Sequence, residues 1–298
     1  MKLFAPLYYN DFKCTADRCR HSCCIGWEID VDDKTIKKYA TLSGAYAEEI
    51  RESVERAGTP HFRLGAGERC PHLDEKGLCR IITTYGDEML CDICREHPRF
   101  YHETKRGREV GLGLSCEEAC RLILTSDAFG EIKEIGEVVG EPPSPSFDVL
   151  PERARIFSLL ADGTLSYKKR LSVLARAFGV SLSVNSDGKW REILDSLEYL
   201  DDAHRALFAS FSSKKKRDKK AEPFLLRALA YFIYRHVSGA ENEDELRSAI
   251  GFSLFCERLL ASMVRAGGDV FDCARILSEE LEYSEENTEI IKNEFLFY

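Results

Sequence analysis

A chain of 298 residues, 44% of them apolar, is long enough for one large or two medium domains with ordinary hydrophobic cores. Its formal net charge of −9 at pH 7 argues against a general nucleic-acid binder, whose affinity depends on neutralising phosphates with Lys and Arg. No apolar run reaches transmembrane length, which argues against a membrane protein.

In chain order, the opening stretch MKLFAPLYYNDFKC reaches Cys14 without the apolar core of about 7–15 residues that a secretory signal carries. The chain therefore reads as cytoplasmic, where thiols stay reduced. KCTADRCRHSCCIGW follows, with Cys14, Cys19, Cys23 and Cys24 close together. Glu28–Val31 is predicted as a short strand, and Asp32 or Asp33 opens a helix through Leu42. In CPHLDEKGLCRI the Asp74–Gly77 stretch carries turn chemistry that brings Cys70 and Cys79 within reach of one another. FYHETKRGREVGLGL predicts a hairpin turning around Lys105–Arg108, followed by a helix from Ser115 with Cys116 and Cys120 on one face.

VVGEPPSPSFDVLPERA, with four prolines, reads as a linker over 138–150. Beyond it the pattern is almost entirely helical. Leu171, Leu174 and Phe178 form an apolar stripe that Gly179 ends. SSKKKRDKKAE, Ser212 to Glu222, reads as a solvated basic loop, with docking of an acidic partner as the other use of such a run. Phe224–Val237 is apolar nearly all round but too short to span a bilayer, so it is expected as a central core helix. Further helices are expected at roughly 244–265, 269–282 and 285–297. The expected fold is mainly α: a Cys-rich metal-binding region with short strands over 1–137, the linker 138–150, and a helical domain over 151–298.

Twelve cysteines exceed ordinary usage, and all but Cys256 and Cys273 lie in the first 120 residues. Disulfides, a metal or iron–sulfur site, and small buried apolar residues compete as explanations. The reducing compartment and the vicinal pair Cys23–Cys24 favour metal. The spacings run Cys14-x4-Cys19-x3-Cys23-Cys24, then Cys70-x8-Cys79-x11-Cys91-x2-Cys94, then Cys116-x3-Cys120. Short gaps let one turn of backbone aim two sulfurs at one metal, and longer gaps bring in ligands from other segments. Soft thiolates suit zinc or an iron–sulfur cluster and discriminate against magnesium and calcium. The count is too high for one zinc ribbon and the gaps are wrong for two. His21, His72 and His97, each within three residues of a cysteine, are candidate ligands or supporting groups. Pro71, Pro98 and Arg99 read as turn-makers and an ion-pair partner, and an arginine beside thiolates also offsets their charge.

As an ordered set, CRHSCCIGWEIDVDD, CPHLDEKGLCRI, CREHPRFY and GLGLSCEEACRLIL, with YFIYRHV far downstream, resemble the flagellin lysine-N-methylase (FliB) family, within a wider CxxCxxCC group of zinc- or iron-chelating proteins. The resemblance implies methyl transfer from S-adenosylmethionine to lysine side chains of a protein substrate such as flagellin, and a [4Fe–4S] cluster. It carries the metal-ligand role to Cys14, Cys19, Cys23, Cys24, Cys70, Cys79, Cys94 and Cys116. Cys91 stands where such relatives lead one to expect Ser.

The chain lacks the Cx3Cx2C motif and the alternating β and α elements of ordinary radical enzymes that use S-adenosylmethionine. Three cysteines on four irons leave one iron open to chelate the methionine amino and carboxylate groups. Methylation of nitrogen does not demand a radical, because a deprotonated lysine amine is already a nucleophile. Candidates around the cofactor are Trp27, as a cation–π wall for the sulfonium, with Glu28, Asp30 and Asp32 for polar roles; a core tryptophan, exposed carboxylates and a helix cap are the ordinary readings. No glycine-rich strand-to-helix turn of the nucleotide-binding kind is present. A non-catalytic zinc- or iron-binding module that presents a helical domain to a protein partner is the alternative.

Overall fold

The first strand, β1 (Lys2–Pro6), finds its partners more than a hundred residues downstream. In the computed structural model, which describes residues 1–127, 130–181, 183–213 and 218–296, the chain forms two units. One is Lys13–Pro98, and the other joins Met1–Phe12 to Arg99–Tyr298.

Lys13–Pro98 is built of short elements. Helix α1 (Asp33–Thr41) starts where the sequence places it. Asp32 caps it, Oδ1 accepting from Thr35 N at 3.0 Å and Oδ2 from Thr35 Oγ1 at 2.9 Å. Helix α2 (Ala45–Ser53) follows Gly44, whose φ of +96° only glycine adopts readily. The pair β2 (Val54–Glu55) and β3 (His61–Phe62) is antiparallel, and α3 (Arg80–Tyr85) and α4 (Asp92–Glu96) complete the unit. Glu28–Val31 is extended but makes only an isolated bridge, Asp30 to His61, with Val31 N donating to Pro60 O at 2.7 Å. Two-residue β3 is too short to make a paired strand of it.

The other unit opens with a sheet in the order β4–β5–β1–β6. Strands β4 (Arg99–Thr104) and β5 (Gly107–Leu112) form the expected hairpin, with Thr104 opposite Gly107. Strand β1 runs parallel to β5 and antiparallel to β6 (Ile132–Glu137). This pairing puts the observed division after Phe12 and Pro98, whereas the sequence places it at 138–150. Residues 138–149 carry no regular structure, and their first residue is tied to β1's end through Val138 N donating to Met1 O. Helix α5 (Glu117–Thr125) begins after Cys116 and buries Ala119, Cys120, Ile123 and Leu124.

Helices α6 (Leu150–Ala161), α7 (Tyr167–Ala177), α8 (Asp187–Ser196) and α9 (Arg205–Phe208) lead to α10 (Glu222–Phe232). Gly179, at φ +65°, ends α7 by letting Val180 N reach back to Ala175 O at 2.8 Å. Residues 214–217 of the basic run, and residue 297 of the last expected helix, lie outside the described residues.

Phe224–Val237 is not one regular helix, because Ile233–Val237 winds as a π-turn. Then come α11 (Glu243–Arg265), α12 (Val270–Leu281) and α13 (Glu285–Asn293), close to their expected limits. Helix α11 is buried on nearly every side from Leu246 to Met263, which makes it the axis of the core. Trp190 packs against Phe255 with ring centroids 4.3 Å apart, and Phe211 and Phe295 close the cluster. With more than half of its residues helical, the fold is mainly α. Among the described residues no helix is long and apolar enough to cross a membrane.

Candidate metal centre

Lys13–Pro98 draws sulfurs from three segments into one place. Cys70 N donates to Cys24 O at 2.9 Å, and Ile25 bridges Arg69, so the first cysteine motif is laced to the start of the second. The loop from Cys70 to Cys79 is closed by Asp74, whose Oδ1 accepts from Lys76 N and Leu78 N, both at 2.8 Å. Gly77, at φ +79°, makes the turn, and Leu73 bridges Cys79. Cys91 caps α4 and Cys94 follows one turn later. The Asp32 carboxylate that caps α1 also accepts from Asp92 N at 2.8 Å, which fixes α4 against α1. Buried Cys70 and Cys91 share a small core with Ile29, Val31, Tyr39 and Ile81, and Cys24, Cys79 and Cys94 pack against it.

The environment of these five sulfurs suits thiolates bound to a cation. The backbone amides of Ile81 and Ile82 lower the Cys79 pKa against the effect of burial, and that of His72 does the same for Cys70. Burial pushes the Cys70 thiol up to about 12 and raises Cys79 as well. A hydrogen bond from Cys23 pulls Cys24 down to about 7, with help from Ser22 and Arg69. Cys91 is held below the ordinary thiol range by the Cys94 thiol, and Cys94 correspondingly lies above it. Buried thiolates repel one another, so protons hold the set together unless a cation replaces them. The Tyr39 hydroxyl is buried without a partner and lies within the field of Cys91, Cys94 and Cys79. An orphaned donor among thiols fits a sulfur-rich guest that accepts its bond. Among the described residues no group of three or more His, Cys, Asp or Glu side chains is arranged to hold a metal ion. By its chemistry, the soft donor set is the kind that thiolate-ligated zinc or an iron–sulfur cluster takes.

The remaining candidates are distributed as follows. Cys14 is exposed, its sulfur accepting from Ala16 N at 3.4 Å, and Cys19 Sγ bonds His21 O at 3.1 Å. Cys116 belongs to the helical unit, beside Cys120, and packs on that unit's apolar core. Cys91, where the resemblance leads one to expect Ser, is inside the five-thiol group. His72 spends both nitrogens on hydroxyls, Nδ1 with Tyr46 at 3.2 Å and Nε2 with Ser53 at 2.9 Å, and burial lowers its pKa to about 4. It braces the site from behind. Trp27 Nε1 donates to Cys23 O at 2.6 Å and its ring lies 6.0 Å from that of His97. Glu28 pairs loosely with His61 at 3.5 Å, and Asp30 is exposed on the bridge to the same residue. Arg99 stands in the helical unit, donating to Tyr9 Oη at 2.9 Å. Tyr39 was invisible to sequence reasoning, although its position on the inner face of a helix capped by Asp32 carries part of the signal.

No family model matches the chain, and no solved structure matches it. The flagellar biosynthetic protein FliU of Salmonella muenchen is 33% identical over 138 residues, which are 43% of this chain and 82% of that protein. The lysine-N-methylases of Salmonella choleraesuis and Salmonella typhimurium are each 32% identical over 127 residues, 40% of this chain. The chain spans 31% of the length of those two methylases.

Proposed function

This chain belongs to the family of the flagellar biosynthetic protein FliU, and from that premise we propose that it is a cytoplasmic, S-adenosylmethionine-dependent protein-lysine N-methyltransferase carrying a [4Fe–4S] cluster. The likeness to lysine-N-methylases supports a methyltransferase-type function and a protein substrate, with flagellin as the first acceptor to try. The observation that carries the cluster is the convergence of Cys24, Cys70, Cys79, Cys91 and Cys94 around an unpartnered Tyr39 hydroxyl.

When bound, such a cluster supplies electrons and, at an iron without a thiolate, a chelation point for an amino acid head. The protein's own residues do the rest. Cys24, Cys70, Cys79, Cys91 and Cys94 would hold the group, and the Tyr39 hydroxyl would be free to donate to one of its sulfurs. Burial of Cys70 and Cys91 excludes water from that side. Trp27, half-buried with its N–H anchored on Cys23 O, offers a ring face to the sulfonium of S-adenosylmethionine, with the exposed carboxylates of Glu28 and Asp30 beside it.

The test is anaerobic purification with iron and acid-labile sulfide analysis, then mass spectrometry of flagellin after incubation with S-adenosylmethionine and a reductant. Iron, sulfide and a methyl mass increment on lysine support the reading; full zinc occupancy without sulfide or methylation sinks it. The coverage of only 31% of each methylase favours one other reading, a non-catalytic zinc- or iron-binding module. A colourless protein with stoichiometric zinc that still captures a protein partner identifies it.

A further inference from the structure

Buried tyrosine hydroxyls elsewhere in this protein are bonded. In the helical unit Tyr231 Oη donates to Glu282 Oε2 at 2.8 Å, and Tyr234 Oη donates to Val110 O at 3.1 Å. Tyr39 departs from that rule: its residue is 1% exposed, and among the described residues it is the tyrosine whose buried hydroxyl has no partner. Such a hydroxyl costs the water contacts it gave up, and a phenylalanine ring would fill the same space without that cost. A tyrosine in this place needs an acceptor that the chain alone does not supply.

The surroundings narrow the choice of acceptor. The backbone of Tyr39 is clamped, because Arg51 Nη1 donates to both Tyr39 O and Leu42 O at 3.0 Å, and its ring packs on Phe62 with centroids 6.3 Å apart. The hydroxyl therefore stays in the core it shares with Cys70 and Cys91. The Asp32 carboxylate at the start of the same helix already accepts from Thr35 N, Thr35 Oγ1 and Asp92 N. The other polar neighbours are the sulfurs of Cys91, Cys94 and Cys79. A protonated thiol is a weak acceptor, whereas a metal-bound thiolate or a cluster sulfide carries negative charge and takes a charge-assisted bond. The hydroxyl is thus without a bond in the empty site and a donor in the loaded one.

We propose that Tyr39 is the tuning residue of the thiol site: its hydroxyl donates to a metal-bound sulfur, holds the loaded state, and raises the reduction potential of an iron–sulfur guest. The inference rests on the reading of the five thiols as a metal site and names the residue that regulates it. The direction follows from charge. Reduction adds an electron to the cluster and makes its sulfurs better acceptors, so a fixed donor favours the reduced form over the oxidised one.

The experiment uses the full chain loaded anaerobically with iron and sulfide. Tyr39→Phe should shift the reduction potential negative by about 60 mV, a tenfold change in a one-electron equilibrium, and should release iron to a chelator about tenfold faster. 3-Fluorotyrosine placed at position 39, a stronger donor of nearly the same shape, should shift the potential positive. Tyr46→Phe removes a hydroxyl already bonded to His72 Nδ1 at 3.2 Å and shows what structural loss alone does: faster iron release at the wild-type potential. A potential that neither change at Tyr39 moves, or that both move in one direction, overturns the inference. So does a Tyr39→Phe chain that fails to fold while the fluorinated protein keeps the wild-type potential. Uptake of zinc without sulfide breaks the iron–sulfur reading alone. The inference then requires iodoacetamide to alkylate the zinc-bound thiolates several-fold faster in Tyr39→Phe, and equal rates overturn it. A chain that takes up neither metal overturns both.

Discussion

Lys13–Pro98 and the helical unit bury their interiors with different materials. In the helical unit the core is aromatic and aliphatic, arranged around α11, with Trp190, Phe211, Phe255 and Phe295 in mutual contact. Its cysteines Cys256 and Cys273 are fully buried and behave as small hydrophobes. In Lys13–Pro98 the buried apolar set is small, no helix exceeds nine residues among those described, and thiols occupy central positions. A bound metal would add to what so small an apolar set supplies. On the proposed reading, cysteine burial means opposite things in the two places: filler where the core is ample, and binding capacity where it is thin.

Metal removal should break the comparison most visibly. Stripping the anaerobic protein with a chelator should abolish hydrogen-exchange protection through Lys13–Pro98 and leave α10–α12 protected, and Cys79→Ser or Cys91→Ser should each lose most of the metal. Cys19→Ser and Cys23→Ser, made alongside, report whether the first motif joins the set. Protection that survives in both units places the thiols in an ordinary core.

The helical unit has its own point of failure. Trp190→Ala should cost about 3–5 kcal/mol, read from denaturant unfolding, with metal content unchanged. A loss below about 1 kcal/mol would show that α11 does not organise the core as its contacts indicate. Cys256→Ser and Cys273→Ser sharpen the contrast between the two uses of cysteine. Each should lose about 1–2 kcal/mol through an unsatisfied buried hydroxyl and retain full metal content. Metal loss equal to that of Cys79→Ser erases the distinction.

The smallest effect is electrostatic. His204 Nδ1 lies 2.6 Å from Glu280 Oε1, and that hydrogen bond raises the histidine pKa. Its stabilising contribution is complete below the unfolded value of about 6.5 and fades as pH rises through the higher folded value. Melting temperature should fall modestly from pH 6 to pH 8 in the wild type and less in His204→Gln. Identical slopes would remove the pair from the stability account.

Local chemistry made much of this legible in the sequence. Asp32 announced α1, Asp74–Gly77 the loop between Cys70 and Cys79, and Gly179 the end of α7, because caps and turns depend on near neighbours. The limits of α11, α12 and α13 followed from apolar period. Pairings across long stretches did not show. β1 and β6 join the sheet through backbone bonds that leave little trace in side-chain pattern, so the division at Phe12 and Pro98 was hidden and a proline-rich stretch drew the boundary instead. The π-turn was equally silent, since Phe224–Val237 is apolar all round and leaves the helical period undefined. Within the candidate site, spacing gathered the cysteines by segment, but it could not tell that Cys91 stands with Cys24, Cys70, Cys79 and Cys94 or that Cys116 falls in the other unit.

The position of β1 bears on the order in which the protein is made. Leu3 pairs with Arg108 and Gly136, so all of Lys13–Pro98 is inserted between one strand and its neighbours in the sheet. A ribosome delivers this insert whole before either neighbour of β1 has emerged, and domains generally close in the order of synthesis. On the proposed reading, the nascent thiol segment meets its metal while β1 is still unpaired. A cell short of that metal then prolongs the time in which β1 and later β5 present open edges, the kind of surface through which chains associate wrongly. On that reading, metal supply would govern the yield of well-assembled protein.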